Sequence, residues 1–519
     1  MSATGAAGIA SVAPATRART RLPRWWPLAA LTLLAAALRL STLDLQSFWY
    51  DEAFTPVHVL HPSLWATLRS VVHTENTPPL WYVLAWADSR VLGTGEVALR
   101  LPSALAGIAT VPVAWAIGAE LEGPAAARTR RAAVVCAALV AVNPLFVWYS
   151  QEARAYGLFV LTAALAMLCF VRAEREPTPR RMAAFALTGS LALLTHYFAV
   201  FLLIPMALLL AYDRRNRRVR RAALPAIAAL GIVGLALLPL ISAQGGHGTQ
   251  WIGRWPLTER LEAIPQYYLT GYSGAPLGHG IELLVALPIL AGLALGLWRM
   301  TEPSRARSQE DGDRRRGVLI ALSIAACGVL IPIVLVGFGA DYLAPRNLVA
   351  AMIPVTAVIA LVTVWPGTGP TGIALAATIA VALLAISLDV DLSPRLQRGN
   401  WRDVAKALRG APRDRVITTV ELGSTPLEYY LPGLHELREG SSVLVSEIDE
   451  TGYAPLRASA EEPPAPGFRL LARLDVDGLI VYRFVSPVPR LVSEATLRRH
   501  VITLASPNVL VPAGSSVSS

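Results

Sequence analysis

Apolar residues run along this chain in long unbroken blocks rather than at helical or strand spacing. A helix must bring about 20 mostly apolar residues to cross roughly 30 Å of hydrocarbon. By that measure eleven spans are predicted: Trp25–Leu43, Leu101–Leu121, Ala132–Tyr149, Ala155–Val171, Met182–Thr195, Tyr197–Tyr212, Ala222–Ala243, Gly280–Trp298, Val318–Phe338, Leu348–Trp365 and Gly372–Leu388. The run Met182–Tyr212 is too long for one span and is divided into a helical hairpin at His196–Tyr197. Past about Leu388 the pattern changes. Strand-like runs (Arg415–Val420, Ser442–Ile448, Phe468–Val485) alternate with helix-like ones (Trp401–Leu408, Ser493–Val501), which predicts a small α/β domain. Residues Ala513–Ser519 read as a frayed, disordered end.

One segment, Pro79–Leu92, is apolar at its start yet short, and it holds Asp88 and Arg90. Counted as a span, it makes twelve helices and reverses every later loop. Charge decides, because short cytoplasmic loops are enriched in Arg and Lys. With eleven spans, one side collects Arg17/Arg19/Arg21/Arg24, Arg128/Arg130/Arg131, Arg172/Arg175/Arg180/Arg181, Arg214/Arg215/Arg217/Arg218/Arg220/Arg221 and Arg299/Arg305/Arg307/Arg314/Arg315/Arg316. The other side holds only scattered arginines. Pro79–Leu92 then becomes a juxtamembrane or re-entrant helix on the outer face. The expected organisation is a cytoplasmic tail at 1–24, a mainly α, polytopic membrane domain at 25–388, and an extracytoplasmic C-terminal α/β domain at 389–519. Met1–Arg24 resembles a signal-peptide n-region, but Arg39 stops the apolar run that follows, so a retained first span is expected.

Composition agrees. Of 519 residues, 54% are hydrophobic and 16% charged, against about 25% charged in soluble chains. That argues against a cytosolic enzyme and a disordered protein. The net charge of +10, in which Lys406 is the only lysine, sits in loops that orient helices, so it calls for no nucleic-acid partner. Cys136, Cys169 and Cys327 lie in apolar runs without metal-ligand spacing. No GxxxxGK[ST] phosphate loop occurs.

Ionisable residues next to spans are costly to hold, so their positions carry information. The first outer loop, 44–100, holds the adjacent pair Asp51 and Glu52 after Trp49-Tyr50. Either acid can serve as a general base or as a ligand of a divalent cation, or the pair is simply solvated. The second outer loop places Glu152, Arg154 and Tyr156 on the same face; His196 and Tyr197 form a hairpin tip there. The segment from Asp341 and Tyr342 to Arg346 adds an arginine able to fork onto a phosphate or to anchor a helix end. The long outer loop, 244–278, carries His247, Trp251, Trp255, Tyr267, Tyr268 and Tyr272, suited to stacking on sugars or to a headgroup belt.

Several of these segments resemble a known group. Ser47-Phe48-Trp49-Tyr50-Asp51-Glu52-Ala53 is similar to the first-loop acidic motif of GT-C fold glycosyltransferases, more narrowly the bacterial family 39 relatives of protein mannosyltransferases and aminoarabinose transferases. Glu75-Asn76-Thr77-Pro78-Pro79-Leu80-Trp81-Tyr82, Arg100-Leu101-Pro102-Ser103-Ala104-Leu105-Ala106-Gly107, Tyr149-Ser150-Gln151-Glu152-Ala153-Arg154-Ala155-Tyr156, Thr195-His196-Tyr197 and Pro345-Arg346-Asn347 resemble later elements in the same order. The resemblance covers about Trp25 to Trp365. It implies transfer of a sugar from a polyprenyl-phosphate donor to a glycan, lipid or protein acceptor at the outer face of the plasma membrane, with inversion. Asp51 would be the acid–base residue, with Glu52 beside it. Glu152 and His196 would organise the site or, with Asp51, hold a divalent cation. Arg154 and Arg346 would neutralise the leaving phosphate, among Tyr156, Tyr197 and Tyr342. Thr77 stands where some relatives have a lysine, so another basic residue must take that phosphate contact. Gly399-Asn400-Trp401-Arg402-Asp403-Val404-Ala405 is similar to tails of bacterial members. The alternative is a transporter or flippase of lipid-linked sugars, which should show repeated halves and ionisable groups at the midplane.

The eleven-span topology is directly checkable. A reporter fused after Gly369 is expected to read cytoplasmic and one at the C-terminus external; the opposite pair would restore the twelve-span topology.

Overall fold

The computed structural model describes residues 25–124, 130–212, 217–271, 278–302, 309–410, 414–503 and 507–518. Arg17, Arg19, Arg21, Arg24, Arg128, Arg214, Arg215, Tyr272, Arg305 and Arg307 lie outside them.

The bundle opens with α1 (Trp26–Leu40). The first loop follows: α2 (Tyr50–Phe54), a π turn at Thr55–Val59, α3 (Leu64–Thr74) and α4 (Leu80–Leu92). Then come α5 (Glu96–Glu122), α6 (Arg131–Val142), α7 (Pro144–Ser150), α8 (Tyr156–Arg175), α9 (Pro179–Thr195), α10 (Ala199–Ala211) and α11 (Arg217–Gln244). The long loop folds into α12 (Gln250–Arg254) and α13 (Leu257–Thr270). The bundle closes with α14 (Gly278–Thr301), α15 (Gln309–Gly337), a 3-10 turn (Pro345–Ala351), α16 (Met352–Thr363) and α17 (Gly369–Leu392).

Each predicted apolar run falls on helix of the bundle, Ala132–Tyr149 on the pair α6–α7. Among the described residues, seven helices are long and apolar enough to cross a membrane, and eight if the pair α6–α7 is one span. The chain is a membrane protein. The expected number of eleven exceeds this because α1 and α10 are short and α9 is not apolar enough along its length. The break between α6 and α7 is a bend of 55°. Pro144 cannot donate an N–H within a helix, and Asn143 caps the new one through its Oδ1, which accepts from Leu145 N–H at 2.9 Å. Helix α4, with 13 residues, is about 20 Å long, too short to cross.

Helix α5 has 27 residues. At 1.5 Å per residue, Arg100 near its start and Glu122 at its end lie about 33 Å apart, one hydrocarbon thickness. At the Glu122 end, Arg172 and Arg175 bond Glu120 at 2.9 and 3.3 Å, and Arg314 bonds Glu122 at 2.9 Å. Arg316 pairs with Glu174. The arginine clusters thus tie the ends of α5, α8 and α15 together at one side of the bundle.

The C-terminal part begins with α18 (Trp401–Leu408), then β1 (Arg415–Val420), α19 (Ser424–Tyr430), β2 (Leu434–Glu436), β3 (Ser442–Tyr453), β4 (Arg469–Val476), β5 (Leu479–Ser493), α20 (Glu494–Arg499), β6 (Pro507–Pro512) and β7 (Val517–Ser518). The sheet order is β2-β6-β1-β3-β5-β4, with β7 on β3; β1 and β3 are parallel, and the other pairs antiparallel. The run Phe468–Val485 proves to be a hairpin. Asp477 and Gly478, both at positive φ, turn it. The end read as frayed is instead paired through residue 518: Ser442 faces Ser518 and Val443 faces Val517. Strand β1 meets β3 only from Glu447 onward. The first residues of β3 therefore offer an open edge, which the chain end covers.

Trp401 is buried against Val404, Leu408, Ile417, Leu427 and Leu479, in the core that joins α18 and α19 to the sheet. Trp401→Ala is expected to cost about 3–5 kcal/mol of stability in this domain. Limited proteolysis should show it as faster cleavage of the C-terminal part, with the bundle left intact.

Candidate functional site

Three segments far apart in sequence meet at the Asp51 end of the bundle. Their meeting point is Glu52, which is fully buried. Its two oxygens take Arg100 Nε and Nη2, both at 2.7 Å, and Oε1 also accepts Ala153 N–H at 2.9 Å. Arg100 Nη1 donates to the carbonyls of Leu43 and Gln46 at 2.7 Å, and Nη2 to Ser47 O at 3.1 Å. Burial works to raise the Glu52 pKa, but Arg100, Arg398 and the Ala153 N–H hold it below the usual carboxylate range. Glu52 is thus an ionised, fully engaged strut of the first loop. The geometry speaks against the catalytic role expected for it.

The Arg100–Gly107 motif is legible in these contacts. Its key residues repeat at helical spacing along one face of α5. Arg100 takes Glu52, Ser103 Oγ donates to Arg154 O at 3.0 Å, and Gly107 leaves the room in which Arg39 Nε meets Ser150 Oγ at 3.1 Å. One helix face therefore fixes both the first and the second loop.

Asp51 follows the chain one step earlier in α2, so its side chain leaves the helix about 100° away from that of Glu52. It reaches Arg346: Nη1 donates to Oδ2 at 2.6 Å, with both side chains 19% exposed. Arg346 lies on the 3-10 turn that precedes α16. Arg260 grips the segment before it through Asp341, at 2.6 and 2.9 Å, and through Leu343 O at 3.1 Å. The Arg346 guanidinium also sits 5.0 Å from the Trp251 ring. Trp251 thus has one partner on the site itself.

Arg154 makes a two-pronged pair with Glu75 at 3.0 and 2.9 Å and donates to Asp51 O at 3.3 Å. Burial would lower its pKa, but Glu75 and its neighbours raise it well above the ordinary value. Glu152 is buried in the same turn. Arg398 Nη2 donates to its Oε2 at 3.1 Å. Burial lifts the Glu152 pKa to about 7; Arg398 opposes this, and Glu52 and Asp51 add to it. His196 stacks on Phe159 with centroids 4.6 Å apart, and its Nδ1 accepts Phe198 N–H at 3.2 Å. Burial, then Arg346 and Arg154, push its pKa down to about 3. The ring is neutral, and with Nδ1 accepting, its proton lies on Nε2.

A cavity of about 440 Å³ opens beside these groups. Its polar end carries Asn76, Tyr156, His196, Tyr342 and Arg346. Its other walls come from Phe201, Leu237, Leu238, Ile241, Pro332 and Leu335, on α10, α11 and α15. Tyr197 also lines it, and its hydroxyl donates to Gln244 Oε1 at 2.6 Å. Tyr342 is half exposed at the rim. Asp51, Glu152 and His196 do not converge as a ligand set: among the described residues no three His, Cys, Asp or Glu side chains come together to hold a metal ion.

With this geometry in place, the chain can be set beside known proteins. Residues 76–242 match the family model of dolichyl-phosphate-mannose-protein mannosyltransferase. That is a glycosyltransferase family, and the resemblance read from the loop motifs holds. The matched stretch takes in Glu152, Arg154, Tyr156, His196 and Tyr197, and leaves Asp51, Arg346 and Arg398 outside. No curated protein matches the chain in sequence. Among solved structures, it is similar to an oligosaccharyltransferase from Archaeoglobus fulgidus tethered to an acceptor peptide (13% identity, TM-score 0.40, 79% of this chain and 59% of that one). It is also similar to ArnT from Cupriavidus metallidurans bound to undecaprenyl phosphate (13%, 0.40, 89% and 98%). A third is arabinosyltransferase EmbB from Mycobacterium smegmatis (15%, 0.40, 75% and 33%). The chain therefore spans 59% of the length of the first of these and a third of the last.

Sequence reasoning placed Asp51, Arg346, Glu152, Arg154, His196 and Tyr156 together. It assigned no role to Arg100, Glu75 or Arg398. Arg100 and Glu75 stood inside quoted motifs; Arg398, one residue before the Gly399–Ala405 tail motif, had no signal beyond its charge.

Removing one partner of a buried ion pair leaves an uncompensated charge, at a cost of roughly 3–5 kcal/mol. Glu52→Gln is therefore expected to lower the melting temperature of the purified protein sharply. Asp51→Asn, at a part-exposed pair, should leave it nearly unchanged. Equal melting temperatures for the two variants would contradict the strut role of Glu52.

Proposed function

We propose that the protein is a membrane glycosyltransferase. It moves a sugar from a polyprenyl-phosphate donor to an acceptor hydroxyl at the extracytoplasmic face of the plasma membrane, with inversion at the anomeric carbon. The observation that carries this reading is the cavity, which joins a cationic, hydrogen-bonding end to apolar walls within the bundle. A lipid phosphate has the same two-part chemistry. The family match supports a polyprenyl-phosphate sugar as donor class. The placement of Arg172, Arg175, Arg314 and Arg316 at the far end of the bundle supports the extracytoplasmic side for Asp51.

In this mechanism the donor phosphate competes for Arg346. In the unliganded site that guanidinium holds Asp51. When the phosphate takes it, the Asp51 carboxylate is released to act as general base. Asp51 accepts the acceptor's hydroxyl proton as the acceptor oxygen bonds to the anomeric carbon and the carbon–phosphate oxygen bond breaks. The leaving phosphate gains charge, which Arg346 and the His196 Nε2–H stabilise from preset positions. Asp51, Arg346 and Glu152 gather at one end of the bundle rather than at its midplane, and Arg–Glu pairs bind the opposite end, which disfavours the transporter reading.

Purified protein supplied with polyprenyl-phosphate sugars and candidate acceptors should transfer sugar. Asp51→Asn should lower the rate by about 10²–10⁴-fold, the usual worth of a general base, without unfolding. Undiminished transfer by a folded Asp51→Asn variant would overturn the assignment.

A further inference from the structure

The segment that joins the bundle to the C-terminal domain runs directly over the second loop. After α17 a short 3-10 turn at Pro394–Leu396 leads to Arg398, whose side chain is 3% exposed. Its guanidinium lies 4.3 Å from the Trp148 ring. Nη1 donates to Gln151 O at 3.3 Å, Nη2 to Glu152 Oε2 at 3.1 Å, and Nε stands 4.0 Å from Glu52 Oε2 without a hydrogen bond of its own. The backbone is fixed as well. Arg398 N–H donates to Gln46 Oε1 at 3.1 Å, and Ser47 Oγ donates to Gly399 O at 2.8 Å while accepting Trp401 N–H at 2.9 Å.

One oxygen of Glu152 is thereby occupied and the other is not. Oε1 is buried and has no hydrogen-bond partner among the described residues. The Tyr149 hydroxyl, which feels the Glu152 charge, is likewise buried and unpartnered. Buried polar atoms are nearly always satisfied, by protein or by something bound. Two such atoms lie within electrostatic reach of Asp51 and Arg346, and each keeps hydrogen-bonding capacity that the described residues leave unused.

We infer that Arg398 is a positioning residue of the transfer site: by holding Oε2 of Glu152, it presents Oε1 to a hydroxyl of the bound sugar. The segment joining the bundle to the C-terminal domain is then a condition of catalysis, because it carries this arginine into the site. This rests on the functional reading above and deepens it. The groups that face Glu152 are Arg398 from the joining segment, Glu52 and Asp51 from α2, Arg346 from the 3-10 turn, and Tyr149 and Tyr156 from the flanking helices. Arg398 is the cation that bonds to it directly. Without that cation, burial acts unopposed by its nearest charge, and Glu152 keeps its proton to higher pH.

The experiment is the pH dependence of sugar transfer by the full-length protein for wild type, Arg398→Gln, Arg398→Lys, Glu152→Gln and the double variant Arg398→Gln/Glu152→Gln. The wild type should show a limb near pH 7 from Glu152 ionisation. Arg398→Gln should move that limb up by at least one unit and raise KM for the donor about tenfold or more. Arg398→Lys should restore most of the profile. Glu152→Gln should abolish the limb, and adding Arg398→Gln to it should have little further effect. An Arg398→Gln protein whose activity falls with an unmoved limb, or whose loss multiplies with that of Glu152→Gln, overturns the inference while the functional reading stands. A folded wild type that transfers no sugar from any polyprenyl-phosphate donor overturns that reading, and this inference with it.

Discussion

The site depends on one buried ion pair. Arg100 and Glu52 are both almost wholly removed from water; Arg100 uses all five of its N–H donors, and Glu52 accepts three hydrogen bonds. Arg100 gathers three carbonyls at the end of α1 and the start of the first loop; Glu52 takes an N–H from the second loop. Desolvating two charges is expensive, and a pair of this kind is a poor source of net stability. What it provides is geometry. A fork with five donors has few ways to be satisfied, so the loops it joins have few ways to sit. Because Glu52 is fixed inward, its neighbour Asp51 must point elsewhere, and it meets Arg346, which lines the cavity.

The same economy governs the charges around it. Asp51, Glu52, Glu75 and Glu152 face Arg346, Arg100, Arg154 and Arg398 in four direct pairs. The pairs differ in how firmly they are closed. Glu52–Arg100 and Glu75–Arg154 are two-pronged and buried. Asp51–Arg346 is part-exposed and single, and Glu152–Arg398 leaves one carboxylate oxygen unbonded. Of the two open pairs, Asp51–Arg346 borders the cavity, through Arg346. A bound phosphate and a sugar hydroxyl can exchange partners there without disturbing the struts that hold the loops.

Much of this was legible along the chain. The apolar runs marked each bundle helix, and β1 and α18 begin and end where alternation placed them. The outer-face residues Asp51, Glu152, Arg154, His196 and Arg346 could be grouped because topology puts loop residues of one side together. The bend at Pro144, the two helices folded from the long loop and the pairing of the chain end with β3 were not legible. The β3 pairing arises between residues distant in sequence; the bend has a local cause, Pro144 behind the Asn143 cap, but falls inside an apolar run that reads as one span. Partner choice was hidden for the same reason. Asp51 and Glu52 are adjacent acids with the same local pattern. Only the third dimension assigns one to Arg100 and the other to Arg346. Arg398 had no chance of being singled out, since its partners lie some 250 residues earlier.

Thr77 now has a physical explanation. Its hydroxyl bonds the Tyr82 hydroxyl at 3.1 Å and its carbonyl accepts Gln244 Nε2 at 3.1 Å. Gln244 in turn receives the Tyr197 hydroxyl, while Tyr82 also bonds Glu75, so the hydroxyl and the carbonyl of Thr77 in this corner already have partners. A lysine there would need a carboxylate, and Glu75, two residues earlier, is already committed to Arg154. The cation for a phosphate must come from across the cavity. Arg346 meets that need: it lines the polar end, rests against Trp251, and its carboxylate partner is the group the proposed reaction has to set free. The departure at Thr77 and the Asp51–Arg346 pair are then two aspects of one arrangement, in which phosphate binding and base release act on the same guanidinium.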